Sequence, residues 1–154
     1  MRDTQRSKVY GWERATFTTD GNFTEELTMQ ECKRIISHVR DAYGVYTYFR
    51  VADGRGCRFA RAGSTTITLP RWARNRFVVL HELAHHILCV NGTNDAHGPK
   101  FTRLLIELLA WAKIDTKANL LRTARFAKLK IAPAAKVPSR SANRRALSIM
   151  KAAA

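Results

Sequence analysis

The stretch RFVVLHELAHHILCVNGTNDAHGPKF, residues 76–101, decides how this chain is interpreted. Its first half is strongly apolar and helical in period, yet it contains the pattern HExxH at His81, Glu82 and His85. Residues four apart on a helix lie about 40° from one another, so the two imidazoles share a face and can point at one metal ion. Glu82 is turned about 100° away, where it can reach a water bound to that ion instead of the ion itself.

A metal site that keeps a position open for water needs a third protein ligand, and His97 is the preferred candidate. The helix is predicted to end at Asn91-Gly92, and the chain beyond it is long enough to return beside His85. Glu107 is the alternative, because a carboxylate on a later helix can also complete such a site. The two candidates are about 15 Å apart along one predicted helix, so they cannot both bind the same ion.

An ordinary buried helix is the competing interpretation. HExxH occurs by chance in many helices, and a single histidine on an apolar helix usually belongs to the core. Here two imidazoles and a carboxylate interrupt FVVLHELAHHILCV, where they would be costly to bury without partners, and a metal ion supplies such a partner. His86 is rotated away from the pair and is expected to be structural or to support a ligand. Asp95 is expected either to orient a ligand imidazole or to serve a turn.

The remaining periodicity predicts an α+β fold. Thr28 and Glu31 have capping-box spacing, and apolar residues then follow one helical face until a glycine ends the helix. Pro99 suits the first turn of a helix that reaches about Lys113, and a basic amphipathic helix is expected over residues 117–130. Three β-branched and aromatic stretches are expected to pair as a short antiparallel meander: VYTYFRV at 45–51, CRFAR at 57–61 and STTITL at 64–69.

The same patterns divide the chain into three parts. Residues 1–23 show no sustained period and are interpreted as an irregular N-terminal arm. Residues 24–131 are expected to form one compact domain, because a chain of 154 residues supports one sizeable core. Pro133 and Pro138 mark a linker into a basic C-terminal tail, residues 132–154, which is expected to be disordered or helical only when bound.

The charge of the chain points to a polyanionic partner. Lys and Arg number 27 against 12 Asp and Glu, which gives a net charge of +15 and favours contact with nucleic acid. No acidic residue follows Asp115, so nucleic acid is expected to bind mainly through the basic residues after it: Lys117, Arg122, Arg125, Lys128, Lys130, Lys136, Arg140, Arg144, Arg145 and Lys151. A second basic stretch, with only Asp53 against it, contains Arg50, Arg55, Arg58, Arg61, Arg71, Arg74 and Arg76.

Cysteine use and hydropathy favour a cytoplasmic protein. Cys32, Cys57 and Cys89 are odd in number, widely spaced and without a CxxC pair, so neither a disulfide framework nor a cysteine zinc site is predicted. No segment approaches the roughly 18 apolar residues that a membrane span requires, and the N-terminus has no apolar signal-peptide core. We therefore expect no contact with a membrane.

The stretch from ITLPRWARNRF to HGPKF, residues 67–101, resembles the short HExxH metalloproteins of actinobacteria and their phages, and more distantly the SprT/Spartan-like zinc metallopeptidases. The resemblance covers roughly residues 30–113 and is specific at residues 81–101. In these peptidases an edge strand precedes HExxH, and a later histidine in an HGPxF context completes zinc binding. The resemblance implies a zincin-like fold, a bacterial or phage-infected cell as the setting, and Glu82 as the catalytic general base. It also implies Zn²⁺ bound by three ligands: His81, His85 and His97.

Three functions follow from these observations. The first is a SprT-like zinc metallopeptidase that acts on DNA-associated proteins and aligns an extended substrate along the edge strand 64–69. The second is a nucleic-acid-binding protein in which zinc only stabilises the fold. The third is a repressor- or antitoxin-cleaving HExxH peptidase with Glu107 as its third ligand. Substrate choice stays open, because Lys100 stands where an acidic residue is common and no cysteine zinc ribbon follows.

Overall fold

The structure, a computed structural model, describes residues 3–17 and 25–139. Within these ranges the chain forms five α-helices and one three-stranded sheet, which confirms the α+β class. The helices are α1 (Arg6–Phe17), α2 (Met29–Ala42), α3 (Arg76–Val90), α4 (Pro99–Trp111) and α5 (Lys117–Phe126). The strands are β1 (Arg50–Asp53), β2 (Arg61–Ala62) and β3 (Thr66–Leu69).

Helix α1 occupies residues for which the sequence predicts an irregular arm, so that expectation is wrong over residues 6–17. Trp12 and Phe17 are buried in the common core, and the Trp12 indole donates a hydrogen bond to the Thr123 hydroxyl at 3.0 Å. The few apolar anchors of this helix stand at uneven spacing among charged residues, and they produce no recognisable period. The rest of the expected arm, residues 1, 2 and 18–23, lies outside the described part of the chain.

Helix α2 forms as its sequence predicts. The Thr28 hydroxyl accepts a hydrogen bond from the Glu31 amide at 3.2 Å, and the Glu31 carboxylate accepts one from the Thr28 amide at 2.7 Å. These reciprocal bonds complete a capping box and fix where the helix begins. Cys32, Ile36 and Val39 then form its buried face.

The sheet is mixed, so the expected antiparallel meander is wrong. Strand β3 is central: it pairs in parallel with β1, with Val51 opposite Ile67, and antiparallel with β2, with Ala62 opposite Ile67. Residues 54–60 carry the chain from one side of β3 to the other, and this crossing takes up most of the predicted strand CRFAR. The expectation of an edge strand at 64–69 is wrong for the same reason, because strand propensity does not encode which strands become neighbours.

Helix α3 lies at the centre of the core. It packs against α2, against α4 and against strands β2 and β3. Its side chains are therefore buried on nearly every face, and the buried set includes His81, Glu82 and His86. A helix that is apolar almost all round is suited to such a position, but the polar residues within it need partners.

The C-terminal helices follow the predicted pattern. Pro99 stands at the start of α4, whose inner face buries Phe101 together with leucines of the following turns. Helix α5 forms within the predicted basic helix, whereas residues 140–154 of the predicted tail lie outside the described part of the chain. Among the described residues, none of the helices combines the length and the hydropathy of a membrane span.

Candidate metal centre

His81, His85 and His97 lie together, with one nitrogen of each ring within 4.8 Å of the others. The Nε2 atoms of His81 and His97 are 3.4 Å apart. Two imidazole ligands of a tetrahedral zinc ion, at bond lengths of about 2.0 to 2.1 Å, are separated by roughly 3.3 Å. The three histidines are therefore spaced so that they could hold one metal ion.

The local structure of α3 places the first two ligands. The Asn75 side chain accepts a hydrogen bond from the Val78 amide at 2.9 Å and so caps the start of the helix. His81 and His85 follow one turn apart on the same face, with ring centroids separated by 5.0 Å. The four-residue spacing within HExxH thus places both imidazoles on one face of α3, as the sequence predicts.

A tight turn built by Asp95 returns the chain to the third ligand. The Asp95 carboxylate accepts hydrogen bonds from the amides of Lys100 at 2.6 Å and Phe101 at 3.1 Å, so it caps the start of α4. A Cβ at Gly98 would lie 2.6 Å from Asp95 Oδ1, which leaves no room for a larger residue. Ala96 adopts a φ of 45°, in the left-handed region. Of the two roles expected for Asp95, the structure supports the turn.

Two carboxylates from the N-terminal residues contact the outer nitrogens of the ligand rings. Glu13 Oε1 lies 2.6 Å from Nδ1 of His81. Asp3 Oδ2 lies 2.6 Å from Nδ1 of His97. Each contact favours a proton on Nδ1, leaves the Nε2 lone pair free for a metal ion and fixes the orientation of the ring. Such pairing of carboxylate and histidine is typical of metal sites in proteins.

Sequence reasoning missed these carboxylates, because the contacts join residues 68 and 94 positions apart. The available signal was weak: Asp3 and Glu13 are the two acidic residues among the first 17. Gln5 also attaches the N-terminal segment to the site. Its side-chain amide donates to the carbonyl oxygen of His97 at 3.2 Å, and its side-chain oxygen accepts from the amide of Lys130 at 2.5 Å. The N-terminal segment is therefore part of the site.

Aromatic rings enclose the histidine cluster. The centroid of the fully buried Phe101 ring lies 4.2 Å from that of His85, 4.9 Å from that of His81 and 5.0 Å from that of His97. The Tyr10 ring approaches His81 and His97, with centroids at 5.7 and 5.0 Å. His85 is half-buried whereas the other two ligands are buried, so the site reaches solvent on the side of His85.

Burial controls the protonation of the site. It lowers the pKa of His85 to about 2, with the charges of His81 and His97 adding to the effect, so this imidazole is neutral and able to bind metal. Burial acts in the same direction on the pKa of His81, but the hydrogen bond and the charge of Glu13 outweigh it, and the pKa is raised. Burial also raises the pKa of the Glu82 carboxyl. That direction suits a group that accepts and returns a proton near neutral pH.

His86 has a structural role. Its Nε2 accepts a hydrogen bond from Nε of Arg40 at 3.2 Å, so Nδ1 carries the proton and donates to the carbonyl oxygen of Gly63 at 2.7 Å. The ring also contacts that of Phe49, with centroids 4.5 Å apart. His86 thereby ties α3 to α2 and to the end of β2.

Glu107, the alternative third ligand, lies outside the histidine cluster. Its Oε1 is 2.7 Å from Nζ of Lys117 and 3.6 Å from Nη1 of Arg103. The group of described residues that could hold a metal ion pairs His97, and not Glu107, with the two histidines of HExxH.

Family models, curated proteins and solved structures were all compared with this chain, and none of them matches. The resemblance to HExxH metalloproteins therefore stays a prediction, and functional conclusions rest on the site itself. The fold and the site define an α+β protein with a cluster of three histidines, two buried and one half-buried, that could hold a metal ion.

Proposed function

We propose that this chain is a zinc-dependent metallopeptidase of zincin-like fold. The observation that carries the proposal is the convergence of His81, His85 and His97, together with a buried carboxylate, Glu82, on the helix that holds His81 and His85. That carboxylate, Glu82, has a raised pKa, as a general base that later acts as an acid requires. The contacts of Glu13 with His81 and of Asp3 with His97 add the ring orientation that a metal centre needs.

Zinc is the ion that best suits this set of donors. Imidazole nitrogen is a preferred ligand of zinc, whereas magnesium and calcium prefer oxygen ligands. Three protein ligands also leave one tetrahedral position open, as hydrolytic zinc sites require. His85 is the ligand nearest to solvent, so we place the approach of the substrate on its side of the cluster.

In the proposed reaction Glu82 moves the proton. When bound, zinc supplies a Lewis acid that polarises the scissile carbonyl and makes water easier to deprotonate. Glu82 takes a proton from the attacking water and passes it to the leaving amine. Burial favours the first step, because it raises the affinity of the carboxylate for the proton of the attacking water.

Tyr10 is the proposed donor to the carbonyl oxygen as that oxygen gains negative charge. Its ring contacts those of His81 and His97, so the phenol lies at the edge of the cluster. Burial raises the pKa of the hydroxyl, and the group therefore keeps its proton at neutral pH. A protonated hydroxyl can donate to a developing oxyanion and stabilise it.

The substitution Glu82→Gln tests the proposal, because the amide keeps the shape of the side chain and loses the base. Zinc content and circular dichroism should match the wild type, while hydrolysis of an unfolded protein substrate should fall by about 10² to 10⁴. Glu107→Gln is the matched control: it removes a carboxylate paired with Lys117 and should leave hydrolysis unchanged. Equal activity of wild type and Glu82→Gln at full zinc loading would exclude Glu82 as the base.

A nucleic-acid-binding protein with a structural zinc site is the second candidate. It is favoured by the enclosure of the site, in which His81 exposes 5% and Glu82 7% of its surface, and by the net charge of +15. In this case the zinc-loaded wild type cleaves no substrate and loses its fold when zinc is removed. The two candidates converge if the peptidase acts on DNA-associated proteins.

A further inference from the structure

The outer face of the sheet presents arginine side chains to solvent. Residues paired in register project to the same face of a sheet, and Ile67 and Leu69 are buried towards the core. Thr66 and Thr68, which alternate with these two residues on β3, therefore face outward. The residues of β1 and β2 that pair with Thr66 and Thr68 face outward as well. Arg50 is paired with Thr66, and Arg61 with Thr68, so two exposed arginines flank a short row of threonines.

Exposed aromatic rings accompany these arginines. The Phe49 ring packs inward against His86, so Tyr48 and Arg50 on either side of it project outward in an extended chain. Tyr48 is 79% exposed, and Phe59, two residues before Arg61, is 58% exposed. The guanidinium carbon of Arg58 lies 5.6 Å from the centre of the Phe59 ring.

The same region continues into an open groove at the ends of β1 and β3. This groove has a volume of about 1250 Å³, and Arg55 and Trp72 both line it. The Trp72 ring is 59% exposed, which is unusual for so large an apolar side chain that serves the core alone. The outer face of the sheet, the crossing segment and the groove thus present both arginine and aromatic side chains. Together we call them the arginine–aromatic surface: Tyr48, Arg50, Arg55, Arg58, Phe59, Arg61 and Trp72.

Four arginines on this surface have no carboxylate partner within residues 3–17 and 25–139. The nearby Arg71 pairs with Glu26 at 2.6 Å, and Arg74 pairs with Asp53 at 2.7 Å. No such ion pair involves Arg50, Arg55, Arg58 or Arg61 in the described part of the chain. Their positive charge is therefore available to an anionic ligand.

We propose that the arginine–aromatic surface binds single-stranded nucleic acid. Arginines neutralise successive phosphates, and exposed rings stack on unpaired bases, which present their faces as a duplex does not. An acidic protein would satisfy the charges but would leave Trp72, Phe59 and Tyr48 without a stacking partner. The surface contains neither Glu82 nor any of the three histidines of the cluster, so it needs neither the metal ion nor the proposed peptidase activity.

Fluorescence anisotropy with the full chain tests whether the exposed rings stack on the bases of the bound strand. The probes are labelled oligo(dT) and oligo(U) of about 15 nucleotides, a length within the range that single binding folds cover, and a duplex of equal length. Trp72→Ala and Phe59→Ala should each weaken oligo(dT) binding at least about fivefold, and Trp72→Phe should restore most of the loss. Trp72→Phe is the matched control, because it keeps a ring that can stack at the same position. The ratio of oligo(dT) to oligo(U) affinity tells DNA from RNA.

A salt series tests the phosphate contacts. Arg58→Ala combined with Arg61→Ala should flatten the slope of log affinity against log salt for the single strand by about 1.4, at about 0.7 for each phosphate. Lys33→Ala combined with Arg34→Ala removes two exposed charges from α2 and should leave the slope unchanged. The proposal is overturned if both double variants flatten the slope equally, if the ring substitutions have no effect, if they weaken duplex binding as much as single-strand binding, or if an acidic polypeptide competes as well as the single strand. Unchanged circular dichroism and metal content in each variant show that the fold is intact.

Discussion

Glu13 Oε1 lies 2.6 Å from Nδ1 of His81, and this contact joins the N-terminal helix to the helix that contains HExxH. Both side chains are buried, with 7% and 6% of their surfaces exposed. A buried carboxylate is costly unless a partner offsets the loss of water, and here the imidazole is that partner. The pair therefore links the folding of α1 to the state of the candidate metal centre.

Glu13→Gln should weaken zinc binding about 10- to 100-fold, because supporting hydrogen bonds of ligand histidines have effects of that size. Competition with a chelator of known affinity measures the change. Asp3→Asn should act in the same direction through His97, which its carboxylate contacts at 2.6 Å. Glu31→Gln, which alters a carboxylate of the α2 capping box far along the chain, is the control and should leave zinc affinity unchanged. Unaltered affinity in both site variants would contradict the proposed support.

His97→Ala should release zinc, and Glu107→Ala should retain it. The reason is positional: His97 lies within the histidine cluster, whereas Glu107 lies 2.7 Å from the Lys117 ammonium. Elemental analysis of protein purified without added metal measures the outcome. The reverse result would show that a carboxylate on α4 completes the site.

Tyr10→Phe should reduce kcat of the proposed hydrolysis about 10²-fold or more, while KM and zinc content change little. The substitution removes the hydroxyl and keeps the ring beside His81 and His97. Steady-state kinetics on zinc-loaded protein separates the two parameters. A rise in KM alone would instead assign Tyr10 to substrate binding.

Gly98→Ala and Gly11→Ala should change stability in opposite directions. The added methyl group at position 98 meets Asp95 Oδ1 at 2.6 Å, so about 1 to 3 kcal/mol of stability should be lost as the turn before α4 is displaced. At position 11, inside α1, nothing lies within 4 Å of the added group. There a gain of about 0.5 to 1 kcal/mol is expected from helix propensity. Urea unfolding of the zinc-loaded variants measures both effects.

Neutralising the C-terminal tail should weaken duplex and single-strand binding alike. Replacing Arg140, Arg144, Arg145 and Lys151 with Gln removes four charges from a part of the chain that lies outside the described residues. If each charge contacts one phosphate, the salt slope for a duplex should flatten by about 3.6. Equal losses on unrelated sequences would agree with the expected lack of base readout. An unchanged slope would rule out the tail as the main contact.

The parts of the structure that the sequence predicts are those encoded by short spacings. The four-residue interval between His81 and His85 places both rings on one helical face, and the three-residue interval between Thr28 and Glu31 produces a cap. His97 was also accessible to prediction, because the length of the turn after α3 limits where the next helix begins.

The parts that the sequence does not predict depend on distant neighbours. Strand propensity is correct at 66–69, but the position of β3 between β1 and β2 depends on a crossing that no local pattern specifies. In the same way, the sequence does not show which of Tyr48, Phe49 and Arg50 face outward. Their directions follow from the contact of the Phe49 ring with His86. In the sequence Asp3 and Glu13 cannot be told from ordinary surface residues. Only in the folded chain do their carboxylates contact the candidate ligands His97 and His81.

The hydrogen bonds of Gln5 have a consequence for synthesis of the protein. They join residue 5 to the backbone of His97 and, 125 positions away, to that of Lys130. During translation the N-terminal segment leaves the ribosome first, and its partner at Lys130, just beyond α5, leaves it much later. A nascent chain that has not yet reached Lys130 therefore holds the three histidines without the full attachment of the N-terminal segment that supports them.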